Sequence, residues 1–507
     1  MIAHPYAPNA SFDGGDLDCG NGLLLLIRKH IDPLERGELL EIRSTEISVP
    51  EDLPAWCRLT GTELVSHIRE GRQHSFLVAK GAFDAARAKP AAAARSMPMR
   101  QPITAVRIPS SLPQPKLAPS IAPLSVMGVG SWPRPAWLLD ALHRRLEGRL
   151  DEAQFASTAD DAVRLCVDAQ LRAGVDVLTD GEQRRDNYAS FVGGILDNCQ
   201  LVPIVDLLPY VEDPAEFERE LRALDVPAEK VRHPAVFGPL GRSRPIALHE
   251  ARFLSTLSDK PRKVALPGPY LLTRTMWMEC ISDRAYADRQ QLARDVVRVL
   301  REEIADLLAD GVSLVQLDEP VLSEVVFGAA REKRSFMCGA LGEKLDTQDE
   351  LAFAEGLLRD VADGFPQERL ALHVCRGNWS PDESVALHGD YSPLLPILSR
   401  APVGTLFLEL CTPRAGDGRL LASLPRDKRL GIGAVNQKHA AIETPEEICA
   451  RIEPLAQLLG PERLLLNPDC GFATFADNPL ASAAIAQQKL ASLAQAAAML
   501  RARHGVG

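Results

Sequence analysis

Leu307-Leu308-Ala309-Asp310-Gly311-Val312-Ser313-Leu314-Val315-Gln316-Leu317-Asp318-Glu319-Pro320 is the stretch on which the fold turns. Just before it, Leu292, Val296, Leu300, Ile304 and Leu307 recur at helical spacing and line one face of a helix. Gly311 then supplies the residue that ends helices most readily. Val312 to Leu317 reads as a short buried strand, and two acids stand at its end. The same phrase occurs earlier, as an amphipathic run from Ala159 to Ala173, Gly174, the strand Val175-Asp176-Val177-Leu178-Thr179, and then Asp180.

Working outward from these two copies, strand-like runs end at Gly130, Thr179, Leu266, Leu317, Val374, Leu408, Val435 and Leu466. A ninth run, Ala235-Val236-Phe237, falls in an irregular stretch from Leu201 to His249. Eight places and one excursion predict an α/β fold with a (β/α)8, TIM-type barrel over residues 124–507. No glycine-rich phosphate loop of either common kind follows any strand, so a nucleotide-binding doubly wound sheet has no support.

Upstream the patterning changes. Residues 82–123 are rich in alanine and proline, with eight prolines from Pro90 to Pro123, and read as a semi-rigid linker. Proline removes a backbone donor and fixes φ, so neither a helix interior nor a central strand survives that density. Residues 1–81 read as a small separate domain. It has a helical run from Leu23 to Ile31 stopped by Pro33, an alternating strand at Leu39-Leu40-Glu41-Ile42-Arg43, and a short helix from Pro50 to Arg58. Glu63 to Glu70 and Gln73 to Lys80 follow as a hairpin joined at Gly71-Arg72, and the sum is a β-α-β-α-β-β two-layer sandwich.

A chain of 507 residues with 46% hydrophobic and 25% charged residues can bury a large core. Its net charge of −11 argues against a general nucleic-acid binder or a polybasic membrane anchor. Ten cysteines scattered without a tight framework, and an opening from Met1 to Asp18 with no basic-then-apolar run, predict a reducing cytoplasmic setting. No apolar run reaches the ~20 residues of a membrane-spanning helix.

Catalytic groups of such barrels project from the C-terminal ends of strands. The polar residues there are Ser131, Glu182, Asp318 with Glu319, His373 with Cys375, Glu409 and Cys470. His373 and Cys375 are two apart, so on a strand the imidazole and thiol point the same way. A buried His-x-Cys pair is often only core. Glu409 and Cys470 at other strand ends bring the set to four nitrogen, sulfur and oxygen donors on one rim, which is the tetrahedral demand of Zn2+. Glu182 and Asp318 could equally cap helices just past their strands. Cys411, two residues beyond Glu409, could also approach the metal, while Cys57, Cys166 and Cys449 read as small buried hydrophobes.

His373-Val374-Cys375-Arg376-Gly377-Asn378, Glu409 and Asn467-Pro468-Asp469-Cys470-Gly471 resemble the zinc-ligand motifs in the catalytic barrel of the cobalamin-independent methionine synthase family. Val129-Gly130-Ser131-Trp132-Pro133-Arg134-Pro135 resembles that barrel's opening motif. Leu178-Thr179-Asp180-Gly181-Glu182 and Gln316-Leu317-Asp318-Glu319-Pro320 resemble its two acidic segments that hold the amino acid. The resemblance implies His373, Cys375, Glu409 and Cys470 as zinc ligands. It implies Glu182, Asp318 and the backbone around Ser131 as the grip on homocysteine, and methyl transfer to a zinc-activated thiol as the activity.

Several features depart from that pattern. The second barrel that helps full-length members hold folate has no counterpart here, and Gly433-Ala434-Val435-Asn436 carries asparagine where many members have aspartate. Trp277 does not fall on the position of the family's folate-stacking tryptophan. The methyl donor therefore stays open between methyltetrahydrofolate and a corrinoid-borne methyl. The small domain, with Asp18-Cys19-Gly20-Asn21-Gly22 before its first helix, resembles the TusA/SirA sulfur-carrier family, although Gly20 and Gly22 stand where that family has prolines. That resemblance implies Cys19 as a reactive thiol and a sulfur-relay protein as partner. Two other expectations follow: alkyl transfer to or from another small thiol or methylated sulfur compound coupled to that relay, or a zinc-binding sulfur-carrier adaptor without turnover.

Overall fold

Leu40 and Ile42 on one side of a strand and Leu39 on the other divide the sheet of the N-terminal unit into two apolar faces. Its strands are β1 (Ala10–Asp13), β2 (Leu39–Ser44), β3 (Glu63–Glu70) and β4 (Gln73–Ala79), in the order β1-β2-β4-β3. β1 runs parallel to β2, and the other pairings are antiparallel. Helices α1 (Leu24–Ile31) and α2 (Val49–Thr60) bring Ile27, Ile31, Leu53 and Cys57 to the cluster that holds Ile42, Phe76 and Val78. α2 starts with Pro50 in its first turn and stops at Gly61, whose φ of 68° a residue with a side chain seldom adopts. Cys57 packs in this core, where burial raises its thiol pKa.

The computed structural model of the chain describes residues 4–18, 23–70, 73–85, 103–146, 149–203, 232–277, 285–328, 346–378, 380–381, 383 and 386–506. Cys19, with Gly20 to Gly22, lies outside them, as do Cys280 and Cys338. The chain divides into two units, Met1–Gln101 and Pro102–Gly507. The boundary falls inside the stretch read as a linker. Residues 103–123 are held along the larger unit by backbone contacts: Thr104 N–H to Asn198 Oδ1 at 2.7 Å, Lys116 N–H to Leu308 O at 3.1 Å, and Ser313 Oγ to Pro119 O at 2.8 Å. The prolines suit a segment that lies on the surface of a packed body and lends it carbonyls, since few of its own donors need partners.

In the larger unit, β5 (Asp197–Pro203) and β6 (Arg232–Gly241) form an antiparallel pair. β6 contains Ala235-Val236-Phe237, so the ninth run of the sequence belongs to this excursion. Then come β7 (Lys263–Pro267), β8 (Leu314–Asp318), β9 (Leu370–Val374), β10 (Thr405–Leu408), β11 (Arg429–Val435) and β12 (Leu464–Pro468), all parallel neighbours in chain order. Nearly every residue of these strands is buried, which is why they read as continuous apolar runs rather than alternating ones. Two more places complete the set through single parallel bridges. Val126 pairs with Leu466 of β12, Met127 with Val177, and Leu178 with Arg262 beside β7. The pairings thus return on themselves through eight places, an order consistent with a (β/α)8 barrel.

Met127, Val129, Val177, Leu314, Ala371, Phe407 and Leu465 pack together, one cluster drawn from six of the eight places. Helices Glu152–Arg172 and Arg289–Ala309 are each opened by an aspartate, Asp151 and Asp288, whose side chain accepts the N–H of the residue three further on. Among the described residues, no helix is long and apolar enough to cross a membrane.

Candidate metal centre and active site

Asp318 ends β8 and His373 lies near the end of β9, and the two are Cα partners in the parallel register. That pairing puts their side chains on one side, and His373 Nδ1 lies 2.8 Å from Asp318 Oδ1. The other ring nitrogen, Nε2, is buried and has no hydrogen-bond partner among the described residues. Two residues on, Cys375 turns its sulfur the same way and meets the Cys470 sulfur at 3.6 Å. One ligand atom each from His373, Cys375 and Cys470 falls within 4.8 Å of the others.

This geometry fits zinc. Two thiolates bound at about 2.3 Å in a tetrahedral shell sit roughly 3.8 Å apart, close to the sulfur separation seen here. The unpaired imidazole nitrogen supplies a third donor, and its opposite nitrogen already has the carboxylate partner that ligating histidines commonly keep. Through its hydrogen bond, Cys470 lowers the Cys375 pKa against the effect of burial, and the neighbouring imidazole helps. Cys470 is pushed upward in return.

Glu409 stands one residue past β10, fully buried, and is engaged elsewhere. Its Oε1 accepts Arg376 N–H at 2.8 Å and Asn378 Nδ2 at 2.5 Å, and its Oε2 accepts Arg414 Nη2 at 3.0 Å. The structure therefore gathers three of the four expected donors and holds the fourth beside them. Cys411 is not part of that cluster: its backbone N–H donates to Asp469 Oδ1 at 2.9 Å, and burial raises its thiol pKa.

The three donors share a pocket of about 390 Å3 with Ser131, Glu182 and Asp318. Glu182 has an unusual backbone, with φ at 53°, and follows Gly181, whose φ is 70°. Arg134 holds this turn by donating Nη2 to the Glu182 carbonyl at 2.7 Å. Burial raises the Glu182 carboxyl to about 7, against Arg185 and with Asp318 and Asp180 adding repulsion. Its Oε2 has no hydrogen-bond partner among the described residues, which is what a group awaiting a cationic ligand looks like. Ser131 donates its hydroxyl proton internally, to the Ala473 carbonyl at 2.5 Å, and its carbonyl accepts Phe472 N–H at 2.8 Å, so its backbone N–H is the donor left to offer a ligand.

Tyr188 and Thr474 also line the pocket and went unread in the sequence, and Pro320, quoted there only within an acidic segment, joins them. Tyr188 and Thr474 lie in loops well past strand ends, where spacing carries no signal. Lys263 went unread for another reason, since it opens a strand that otherwise looks like plain core. Burial lowers its ammonium to about 8, with Asp318, Glu182 and Cys470 opposing that shift.

Residues 124–202 and 222–497 match the family described as the catalytic domain of cobalamin-independent synthases. The match begins beyond the N-terminal unit. The chain is similar to the methionine synthase of Saccharolobus solfataricus, at 24% identity over 374 residues that cover 74% of this chain and 93% of that protein. A similar likeness, 25% over 383 residues, holds for the methionine synthase of Sulfolobus acidocaldarius, covering 75% and 93%. In fold it is similar to a B12-independent methionine synthase from Shewanella sp. W3-18-1 in complex with selenomethionine, with a TM-score of 0.56 and 22% identity over 76% of this chain and 99% of that one. With the family match spanning well over half its length, this chain belongs to the cobalamin-independent synthase catalytic-domain family, a family of methyltransferases.

Proposed function

We propose that the larger unit methylates the thiol of homocysteine to give methionine, using Zn2+ held by His373, Cys375 and Cys470 with Glu409 as the remaining donor. The observation that carries this reading is the buried, unpaired Nε2 of His373 beside two sulfurs 3.6 Å apart. Asn378 Nδ2 contacts both Glu409 Oε1 and the Cys375 sulfur, so Glu409 already stands next to the ligand set. Zinc in such a site supplies the Lewis acidity that keeps a bound thiol deprotonated at neutral pH.

The chain's own residues do the rest. Glu182 and Asp318 form the anionic side of the pocket, where they hold the ammonium of the amino acid and fix the direction of its side chain. The backbone from Gly130 to Ser131 meets Gly471 there and offers polar atoms to the carboxylate. Asp318 also keeps the His373 ring in place. A substrate so oriented presents its sulfur for in-line displacement on the methyl of a donor, either methyltetrahydrofolate or a corrinoid-borne methyl: the sulfur–carbon bond forms as the donor's bond to that carbon breaks and its electron pair stays with the donor.

The test is Cys470→Ser. Zinc content and methyl transfer to homocysteine are both expected to fall to background, and retention of both would sink the proposal.

A further inference from the structure

Lys263 is 1% exposed and does not line the pocket. An ammonium placed inside a ring of strands costs several kcal/mol unless every proton finds a partner. Here Nζ donates to the Val129 carbonyl at 2.7 Å and to Gln316 Oε1 at 2.5 Å, and it lies 4.9 Å from the centre of the Phe407 ring. Gln316, fully buried in β8, is thereby held in one orientation. A primary amide has one accepting end and one donating end. With Oε1 taken by the ammonium, Nε2 must face the other way, and it donates to Asp318 Oδ1 at 2.7 Å and to Val129 O at 3.0 Å.

Asp318 Oδ1 therefore receives Gln316 from one direction and His373 Nδ1 from another, at 2.8 Å. An acceptor pinned in this way holds the imidazole with its proton on Nδ1 and its lone pair on Nε2, the nitrogen that faces the two cysteines. The Val129 carbonyl, which takes both Lys263 and Gln316, is one residue from Gly130 in the pocket lining.

We propose that Lys263 is a positioning residue for the metal centre, acting through Gln316 and Asp318 to fix the donor face of His373. The inference rests on the metal reading given above. A merely structural lysine would stabilise the ring without touching the ligand geometry, and Co2+ separates the two cases because its visible spectrum reports ligand geometry directly.

Metal-free wild type, Lys263→Met and Gln316→Glu are to be titrated with Co2+ against a chelator, with circular dichroism as the check on folding. Gln316→Glu keeps the side-chain volume and an oxygen for Lys263, but replaces the donor facing Asp318 by an acceptor, so it carries the test if Lys263→Met does not fold. The expected result is a roughly 10–100-fold loss of Co2+ affinity, with shifted absorption bands, in each folded variant. A folded variant that binds Co2+ with wild-type affinity and spectrum overturns the assignment alone. Wild-type protein that takes up no Co2+ overturns the metal reading, and this inference with it.

Discussion

His373 and Asp318 face each other across neighbouring parallel strands, Nδ1 to Oδ1 at 2.8 Å, while the far side of the imidazole is buried and, among the described residues, unpaired. On the proposed reading, that one carboxylate serves two purposes, orienting a metal donor and forming part of the wall around the amino acid. Asp318→Asn can present an amide N–H where the ring needs an acceptor. Zinc affinity, read by chelator competition, should fall about 10–100-fold, and the KM for homocysteine should rise with it.

Glu182 gives a pH dependence with a definite sign. Burial raises its carboxyl to about 7, so below that pH the group is neutral and offers an ammonium no charge. Methionine is the ligand of choice, because it has no thiol proton to lose. Its affinity, measured by calorimetry, should rise from pH 6 to pH 8, by up to about tenfold per unit on the acid side. Glu182→Gln should flatten that profile and hold it at the weak end.

Gly471 is confined by backbone rather than by conformation. A Cβ there would lie 2.8 Å from the Ser131 nitrogen and 3.2 Å from the Gly130 carbonyl carbon. Gly471→Ala must push apart the two segments that close the pocket, at a cost of about 1–3 kcal/mol. The expected result is a lower Tm together with loss of homocysteine affinity, both measurable on one purified variant.

Glu303 provides a control remote from the metal donors. Fully buried, it accepts the N–H groups of Ile246, Ala247 and Leu248 at 2.7–2.8 Å and pairs with Arg242. Glu303→Ala strands three backbone donors and leaves Arg242 with Asp306 alone, and should cost about 3–5 kcal/mol in urea unfolding. The Co2+ spectrum of the protein that remains folded should be unchanged.

Much of the ring was legible because its strands are buried on both sides and separated by helices with clear apolar faces. The runs ending at Gly130 and Thr179 were readable as strands from composition, yet they contribute only single bridges, since ladder length depends on neighbours that a local pattern does not record. His373, Cys375 and Cys470 were visible as donors at strand ends. The engagement of Glu409 with Arg414 was not, because Arg414 lies past β10 in a turn whose direction no periodicity encodes. Lys263 and Gln316 were the most instructive omissions. Each is a polar residue inside an apolar strand, and its meaning depends on a partner about fifty residues away. The one available signal was the cost of burying such groups at all.

The first and last places of the ring are joined directly: Val126 bridges Leu466, and Phe472 donates its N–H to the Ser131 carbonyl at 2.8 Å. The wall containing Gly130 and Ser131 is therefore built from the first and last segments of the ring, in a polypeptide made in one direction. During synthesis, Asp318, His373 and Cys375 emerge while the seam is still open, and Cys470 comes last of the donors. The pocket cannot be complete until Cys470, Gly471 and Thr474 have left the ribosome, so a product stopped before them would carry most of the lining residues without the segment that closes the seam.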